Sequence, residues 1–292
     1  MKLTFLGTGT SHGVPVINCN CKVCRSHNKK NKRYRSSVYI QTKSDKTILI
    51  DCGPEFRLQA LRNKISKIDL ILLTHSHADH LHGIDDIRIF SCNLSKEPDN
   101  PEGKAKFHAP PIPIYTNKTT VTDLQNRFGY FFTPCSQGGG KPKVELKEVS
   151  ETFDFYDVKI TPIPMMHGSL ETAGWLISEK DEYGNINSIA YLTDCSSISS
   201  ESLKLIKDNC FNLKHLIIDA LRIKEHSTHF NFDQAMEFCN QLNAEKVWFT
   251  HLTHQTSHWQ VKKYIKKNLK KYTNLQKAKS VLPAYDQLKI FS

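Results

Sequence analysis

An apolar run, Ile68-Asp69-Leu70-Ile71-Leu72-Leu73-Thr74, opens directly onto His75-Ser76-His77-Ala78-Asp79-His80. This junction constrains the chain more tightly than any other stretch. The first part reads as a buried strand, because an uninterrupted apolar run suits a strand covered on both faces. The second part puts four strong ligand types at the strand's mouth. Side chains alternate in an extended turn, so His75 and His77 point one way. Asp79 and His80 then begin a helix and turn toward a neighbouring site. Imidazole nitrogen and carboxylate oxygen together suit Zn²⁺, Mn²⁺ or Fe²⁺, and the four groups can converge on two cations.

Matching ligands recur downstream, each where a strand would end: His167 after 160–166, Asp194 after 189–193 and His251 after 246–250. Strand ends grouped on one rim of a sandwich place such residues in one cleft. β-branched runs predict strands at 3–6, 37–42, 47–51, 68–74, 113–115, 143–149, 153–162, 174–178, 188–193, 213–219, 246–250 and 287–291. Amphipathic stretches predict helices at 55–63, 83–90, 119–128, 200–209, 233–242 and 260–271. Sheets covered by outer helices, an α+β or α/β mixture, follow from this order. Segments 95–111 and 133–142, the latter with Gly138-Gly139-Gly140, read as loops or insertions. No linker divides the chain, so 1–292 is expected to be one domain.

With these ligands in this order the sequence resembles the metallo-β-lactamase superfamily over nearly its whole length. The resemblance implies a four-layer αββα sandwich. It implies that His75, His77 and His167 hold one metal, that Asp79, His80 and His251 hold a second, and that Asp194 bridges both. Branches of the superfamily that carry a di-iron redox centre usually place a glutamate where His77 stands; a histidine there favours hydrolysis. Two neighbouring cations share a hydroxide and lower its pKa, which gives a nucleophile near neutral pH.

A second constellation is Cys19-Asn20-Cys21-Lys22-Val23-Cys24. Its spacing is compact enough for one tetrahedral ion but lacks a fourth ligand. His254, three residues after His251, offers one. Together with Gly7-Thr8-Gly9-Thr10-Ser11-x-Gly13-Val14-Pro15 and Arg33-x-Arg35-Ser36-Ser37, this pairing resembles a narrower family, the phosphoribosyl cyclic-phosphate phosphodiesterases of phosphonate degradation and their relatives. That resemblance implies a structural zinc on Cys19, Cys21, Cys24 and His254. The scattered thiols Cys52, Cys92, Cys135, Cys195, Cys210 and Cys239 read as small buried hydrophobes.

Phosphodiester cleavage leaves an alkoxide that needs a proton, so a histidine outside the ligand set is expected nearby. His226 and His229 are the candidates. The placement of His229 before Gln234-Ala235 and ahead of His251 resembles the general-acid histidine of the phosphodiesterase and tRNase Z groups. His226 either orients it, contacts phosphate or is an ordinary surface histidine. Asp51 and Asp219, each ending a strand, either orient histidines or cap loops. Arg33 and Arg35 either bind substrate phosphate or lie on a solvated face. Lysines at 262, 263, 266, 267, 270 and 271 surround Val261, Ile265 and Leu269 and read as the solvated face of an amphipathic helix.

The net charge of +11 favours anionic partners without choosing among them. No run of eighteen or more apolar residues suggests a membrane span, and the N-terminus lacks the apolar stretch of a signal peptide, so a cytoplasmic location is expected. The reading is a two-metal phosphodiesterase, with Zn or Mn at the catalytic site, one structural Zn, and a small, most simply cyclic, phosphodiester as partner. Nucleic acid is the less favoured partner, and a homodimer stays open. A tRNase Z-like endonuclease is the nearer rival, although that group carries a long glycine- and proline-bearing arm and lacks the cysteine triplet. A non-catalytic zinc-binding protein is the more distant one.

Overall fold

The computed structural model describes residues 1–91, 110–133 and 141–292. Most of segments 95–111 and 133–142, together with Cys92 and Cys135, therefore lies outside the described residues.

The strands are β1 (Lys2–Gly7), β2 (Ser37–Gln41), β3 (Thr47–Ile50), β4 (Leu70–Leu72), β5 (Ile112–Thr116), β6 (Val144–Glu148), β7 (Phe153–Phe155), β8 (Val158–His167), β9 (Leu170–Lys180), β10 (Ile186–Leu192), β11 (Asn212–Asp219), β12 (Lys246–Thr250), β13 (Ser280–Pro283) and β14 (Lys289–Phe291). The α-helices are α1 (Phe56–Asn63), α2 (Ala78–Leu81), α3 (Lys118–Arg127), α4 (Ser200–Asn209), α5 (Phe232–Cys239) and α6 (His258–Asn268). The strands form two seven-stranded sheets, ordered β14-β1-β2-β3-β4-β5-β6 and β13-β12-β11-β10-β9-β8-β7.

The period of two in the strands assigns the layers. Ile48 and Ile50 of β3, Leu70 and Leu72 of β4, Ile189 and Tyr191 of β10 and Ile217 of β11 fill the space between the sheets. The alternate residues Leu49, Ile71 and Leu73 face outward onto Phe56, Ala60 and Leu124 of the helices covering the first sheet. Ala190, Leu192, Leu216 and Ile218 do the same beneath Ile206, Phe232, Met236 and Ile265 of α4, α5 and α6. The result is the expected αββα sandwich. β4 shows why its run is unbroken: it pairs in parallel with both β3 and β5, and all three of its residues are fully buried. Each such side chain contributes about 1.5–3 kcal/mol of burial.

Three elements differ from expectation. The stretch 153–162 is not one strand but the β7–β8 hairpin, which turns at Tyr156 in the left-handed region (φ 54°). The helix expected at 83–90 is a 3₁₀ turn, Ile84–Ile89, preceded by the short α2. β13, an edge strand parallel to β12, was not anticipated. Cys52, Cys195 and Cys239 are buried as expected, while Cys210 is half-buried. Among the described residues no helix is long and apolar enough to cross a membrane.

Candidate metal centre

One rim of the sandwich gathers the strand ends. β4 runs out at Leu72, and the chain continues through Thr74 into His75 and His77, the latter preceding α2. His167 is the last residue of β8. Asp194 lies just past β10, and His251 directly follows β12. Asp51, Asp194 and His251 all adopt positive φ (62°, 57° and 58°). For a residue with a side chain this costs of order 1–3 kcal/mol, and such strain gathers where a site over-determines the backbone. After His167 the chain reverses through Gly168 (φ +63°), where a Cβ would also come within 2.9 Å of the Thr228 methyl.

Two ligand sets result. The side-chain nitrogens of His75, His77 and His167 lie within 4.8 Å of one another, and so do ligand atoms of Asp79, His80, Asp194 and His251. Asp194 adjoins both sets: Oδ2 is 3.2 Å from His80 Nε2, Oδ1 is 3.2 Å from His251 Nε2, and the residue also groups with His167 and His229.

Three of the buried ligand imidazoles are held from behind, while His251 Nδ1 has no hydrogen-bond partner among the described residues. The His80 Nδ1–H donates to Asp51 Oδ2 (2.7 Å) and the His167 Nδ1–H to the Thr228 carbonyl (2.6 Å). The Thr74 hydroxyl gives its proton to Asp51, so its oxygen accepts from His75 Nδ1 (3.0 Å). These bonds fix the tautomers and turn the Nε2 lone pairs inward. The Nε2 atoms of His75, His80 and His251 are buried and have no hydrogen-bond partner. Orphaned buried nitrogens facing two buried carboxylates are a costly arrangement in an apolar interior. A divalent cation in each set satisfies them, so the residues fit the metals that the fold implies.

The electrostatics agree. Burial holds the proton affinities of His75, His77 and His167 below the ordinary histidine value, His167 at about 4, leaving neutral imidazoles able to ligate. Burial lowers His229 as well, with the charges of Asp194 and Asp79 opposing it. At His80 burial opposes the charged form, but Asp194, Asp79 and Asp51 outweigh it and push the group well upward. A cation at Nε2 answers the same field.

The structure places His229 at the edge of both sets. Its Nδ1–H donates to Asp219 Oδ2 (2.7 Å), and its ring stacks on His251 at 4.7 Å and meets His167 at 4.4 Å. Asp219 also accepts the Cys195 N–H and faces His251 Nδ1 at 3.9 Å. Asp51 and Asp219 thus stand behind histidines and at the same time accept loop N–H groups, of Thr74 and Cys195. His226 lies 5.3 Å from the His229 ring and accepts through Nδ1 from Thr228 within its own turn.

The arginines depart from expectation. Arg33 is only 2% exposed; its guanidinium donates to Thr8 Oγ1 and the Ala284 carbonyl and faces Asp286, so it is a buried tie in the scaffold and neither a solvated nor a phosphate-facing group. Arg35 is partly exposed but already engaged with Glu55 and the Ser11 carbonyl.

The second constellation also comes together. The sulfurs of Cys19, Cys21 and Cys24 lie 3.3, 3.5 and 3.6 Å from His254 Nδ1. Tetrahedral zinc, with bonds of ~2.3 Å to sulfur and ~2.0 Å to nitrogen, requires S···N separations of about 3.5 Å. The Cys24 N–H, bonded to Cys21 Sγ, is the leading cause that lowers the Cys21 thiol to about 6, toward the thiolate that zinc binds, whereas burial raises Cys24 to about 11.

Sequence reasoning did not single out Ser76, Thr74, Asp123 or Arg127, which hold the histidine loop. Nothing in their residue types distinguishes them from ordinary loop and helix positions.

The beta-lactamase superfamily domain matches residues 46–252, which spans the ligand run through His251. An octanoyltransferase of Porphyromonas gingivalis is 34% identical over 257 residues, 87% of this chain and 46% of that protein, so the chain spans about half the length of that relative. A ribonuclease Z of Clostridium kluyveri is 26% identical over 252 residues, 74% of this chain and 82% of the relative. The crystal structure of a new diphosphatase from the PhnP family superposes with a TM-score of 0.76 at 35% identity, covering 100% of this chain and 97% of that one. The chain thus belongs to the metallo-β-lactamase superfamily and, within it, to the PhnP family.

Proposed function

We propose that the protein hydrolyses small phosphodiesters, cyclic phosphates of a sugar or nucleotide above all, at two divalent cations held by His75, His77 and His167 and by Asp79, His80 and His251, with Asp194 between them. Cys19, Cys21, Cys24 and His254 hold a third, structural zinc. When bound, the paired cations supply an activated water and neutralise charge on the phosphoryl oxygens.

The observation that carries this reading is His229. A buried imidazole oriented through Nδ1 by Asp219 stands beside both ligand sets without being needed to complete either. In its doubly protonated form, with the Asp219 carboxylate balancing the charge at Nδ1, it can deliver the Nε2 proton to an oxygen leaving phosphorus and return to the neutral imidazole. A diester expels an alkoxide, which needs that proton. A diphosphate expels a phosphate, which hardly does. The diphosphatase relative at 35% identity favours phosphoanhydride cleavage as a second reading; the placement of His229 favours the diester.

The test separates binding from chemistry. Asp194→Ala removes the carboxylate shared by the two sets, so metal content and turnover should both collapse. His229→Ala should keep its metal while turnover of an alkyl or cyclic diester falls by about 10²–10⁴-fold. That defect should shrink markedly on a p-nitrophenyl diester, whose leaving group needs little protonation. An equal defect on good and poor leaving groups removes the acid role from His229. A panel of ribose cyclic phosphates, 2′,3′-cyclic nucleotides, nucleoside diphosphates and precursor tRNA separates the diester, anhydride and RNA readings.

A further inference from the structure

We propose that Asp123 and Arg127 of α3 are positioning residues for the first histidine triad: they hold Ser76, one by its hydroxyl and the other by its carbonyl, and thereby aim His77. The proposal rests on the metal-binding reading of that triad and not on the identity of the substrate.

His77 is the anomaly of the site. It is the exposed member of the triad, and among the described residues its side chain makes no hydrogen bond, neither from behind nor as a cap of α2. His75, His80, His167 and His229 each have such a bond. His251 lacks one too, but it is 1% exposed and stacked on His229, so packing holds its ring, whereas His77 is exposed. An imidazole without one keeps its ring rotation, and only the backbone can restrict where it points. That backbone is held one residue away. The Ser76 hydroxyl donates to Asp123 Oδ2 at 2.5 Å, and Arg127 Nη1 donates to the Ser76 carbonyl at 2.6 Å. Asp123 and Arg127 are one helical turn apart and themselves paired at 3.6 Å, so the clamp is one connected unit on a single helix. The loop is pinned upstream as well: Thr116 donates to the Leu73 carbonyl, and Asp51 accepts the Thr74 N–H. Between these fixtures and α2, the Ser76 clamp is what orients the bond leading to His77. Its two charged members are partly exposed (35% and 42% of the side chain), so the sandwich core does not depend on them.

The experiment is a competition titration of the metal-loaded full-length protein against a chromophoric zinc chelator. His77→Ala identifies which step of the titration belongs to the triad. Asp123→Ala and Arg127→Met should weaken that step by about 10–100-fold, the usual effect of losing an outer partner of a metal ligand, and leave the other steps unchanged. Arg127→Lys, which can still donate once to the Ser76 carbonyl, should recover most of the loss, and Ser76→Ala should reproduce Asp123→Ala without adding to it. Thr122→Ala on the same helix should change nothing. Wild-type affinity at the triad step in both Asp123→Ala and Arg127→Met overturns the proposal. So does equal weakening of every step, which would mark a loss of general stability. If His77→Ala alters no step, the ligand reading itself fails and the clamp falls with it.

Discussion

The sharpest perturbation of the site is a single methyl group at Gly53. α2, which carries Asp79 and His80, docks backbone to backbone on the segment after β3: the Cys52 N–H donates to the His80 carbonyl at 2.7 Å, and the Gly83 N–H to the Cys52 carbonyl at 2.8 Å. A Cβ on Gly53 would lie 2.1 Å from the Asp79 carbonyl oxygen. Ordinary contact begins near 3.4 Å, so Gly53→Ala moves the Asp79 peptide by roughly 1.3 Å. Metal–ligand bonds tolerate about 0.2 Å, so Asp79 and His80 cannot both keep their places. Displacement on this scale costs about 10²-fold or more in turnover. The overpacking itself destabilises by about 1–3 kcal/mol, which for a chain of this size lowers Tm by several degrees. Metal per chain after dialysis, kcat/KM on a small diester and thermal melting measure the three effects. Gly129→Ala, where a Cβ meets nothing within 4 Å, is the matched control. A Gly53→Ala protein that holds its full metal complement and turns over normally refutes the argument that this close approach places the ligands.

Two further outcomes are expected. Cys21→Ser should lose one zinc per chain and melt at lower temperature while the two-cation set stays loaded, as judged by elemental analysis and calorimetry; unchanged metal content and Tm would show that the cysteine cluster is not a zinc site. Replacing the lysines at 262, 263, 266, 267, 270 and 271, all exposed, with glutamine should leave kcat/KM for small diesters and its mild salt dependence nearly unchanged, because α6 and the 3₁₀ turn that follows it bury Val261 and Ile265 and present these lysines to water. A steep salt dependence, together with precursor-tRNA cleavage lost in that variant, would favour a long polyanionic substrate instead.

The layers of the fold were legible because burial on both faces leaves a signature in the chain itself. Residues 70–72 cannot be anything but a central strand when their neighbours on either side are parallel strands and both faces are covered. β13 left no comparable trace. It is four residues long, ends in proline and sits at a sheet edge, so its conformation comes from pairing with β12 rather than from its own composition. The β7–β8 turn was hidden for a related reason: Tyr156 adopts a left-handed conformation without the glycine or asparagine that usually announces one.

The clustering of the candidate metal ligands was legible because these side chains have few other reasons to gather at strand ends. What supports them was less so. Asp51 and Asp219 were ambiguous in sequence, since a carboxylate after a strand caps a loop as readily as it orients a histidine. The structure shows why one carboxylate can serve both ligand sets. Asp51 accepts directly from His80 and, through the Thr74 hydroxyl, fixes the tautomer of His75. Asp219 does the corresponding work on the far side, holding His229 and facing His251. Burial raises the proton affinity of both carboxyl groups, and neighbouring histidines and backbone N–H groups pull it back. A carbonyl clamped by an arginine, as at Ser76, leaves no mark in sequence at all, because every residue has a carbonyl to offer. The imidazole held only through that backbone is the one whose aim depends most on parts of the chain that no motif names.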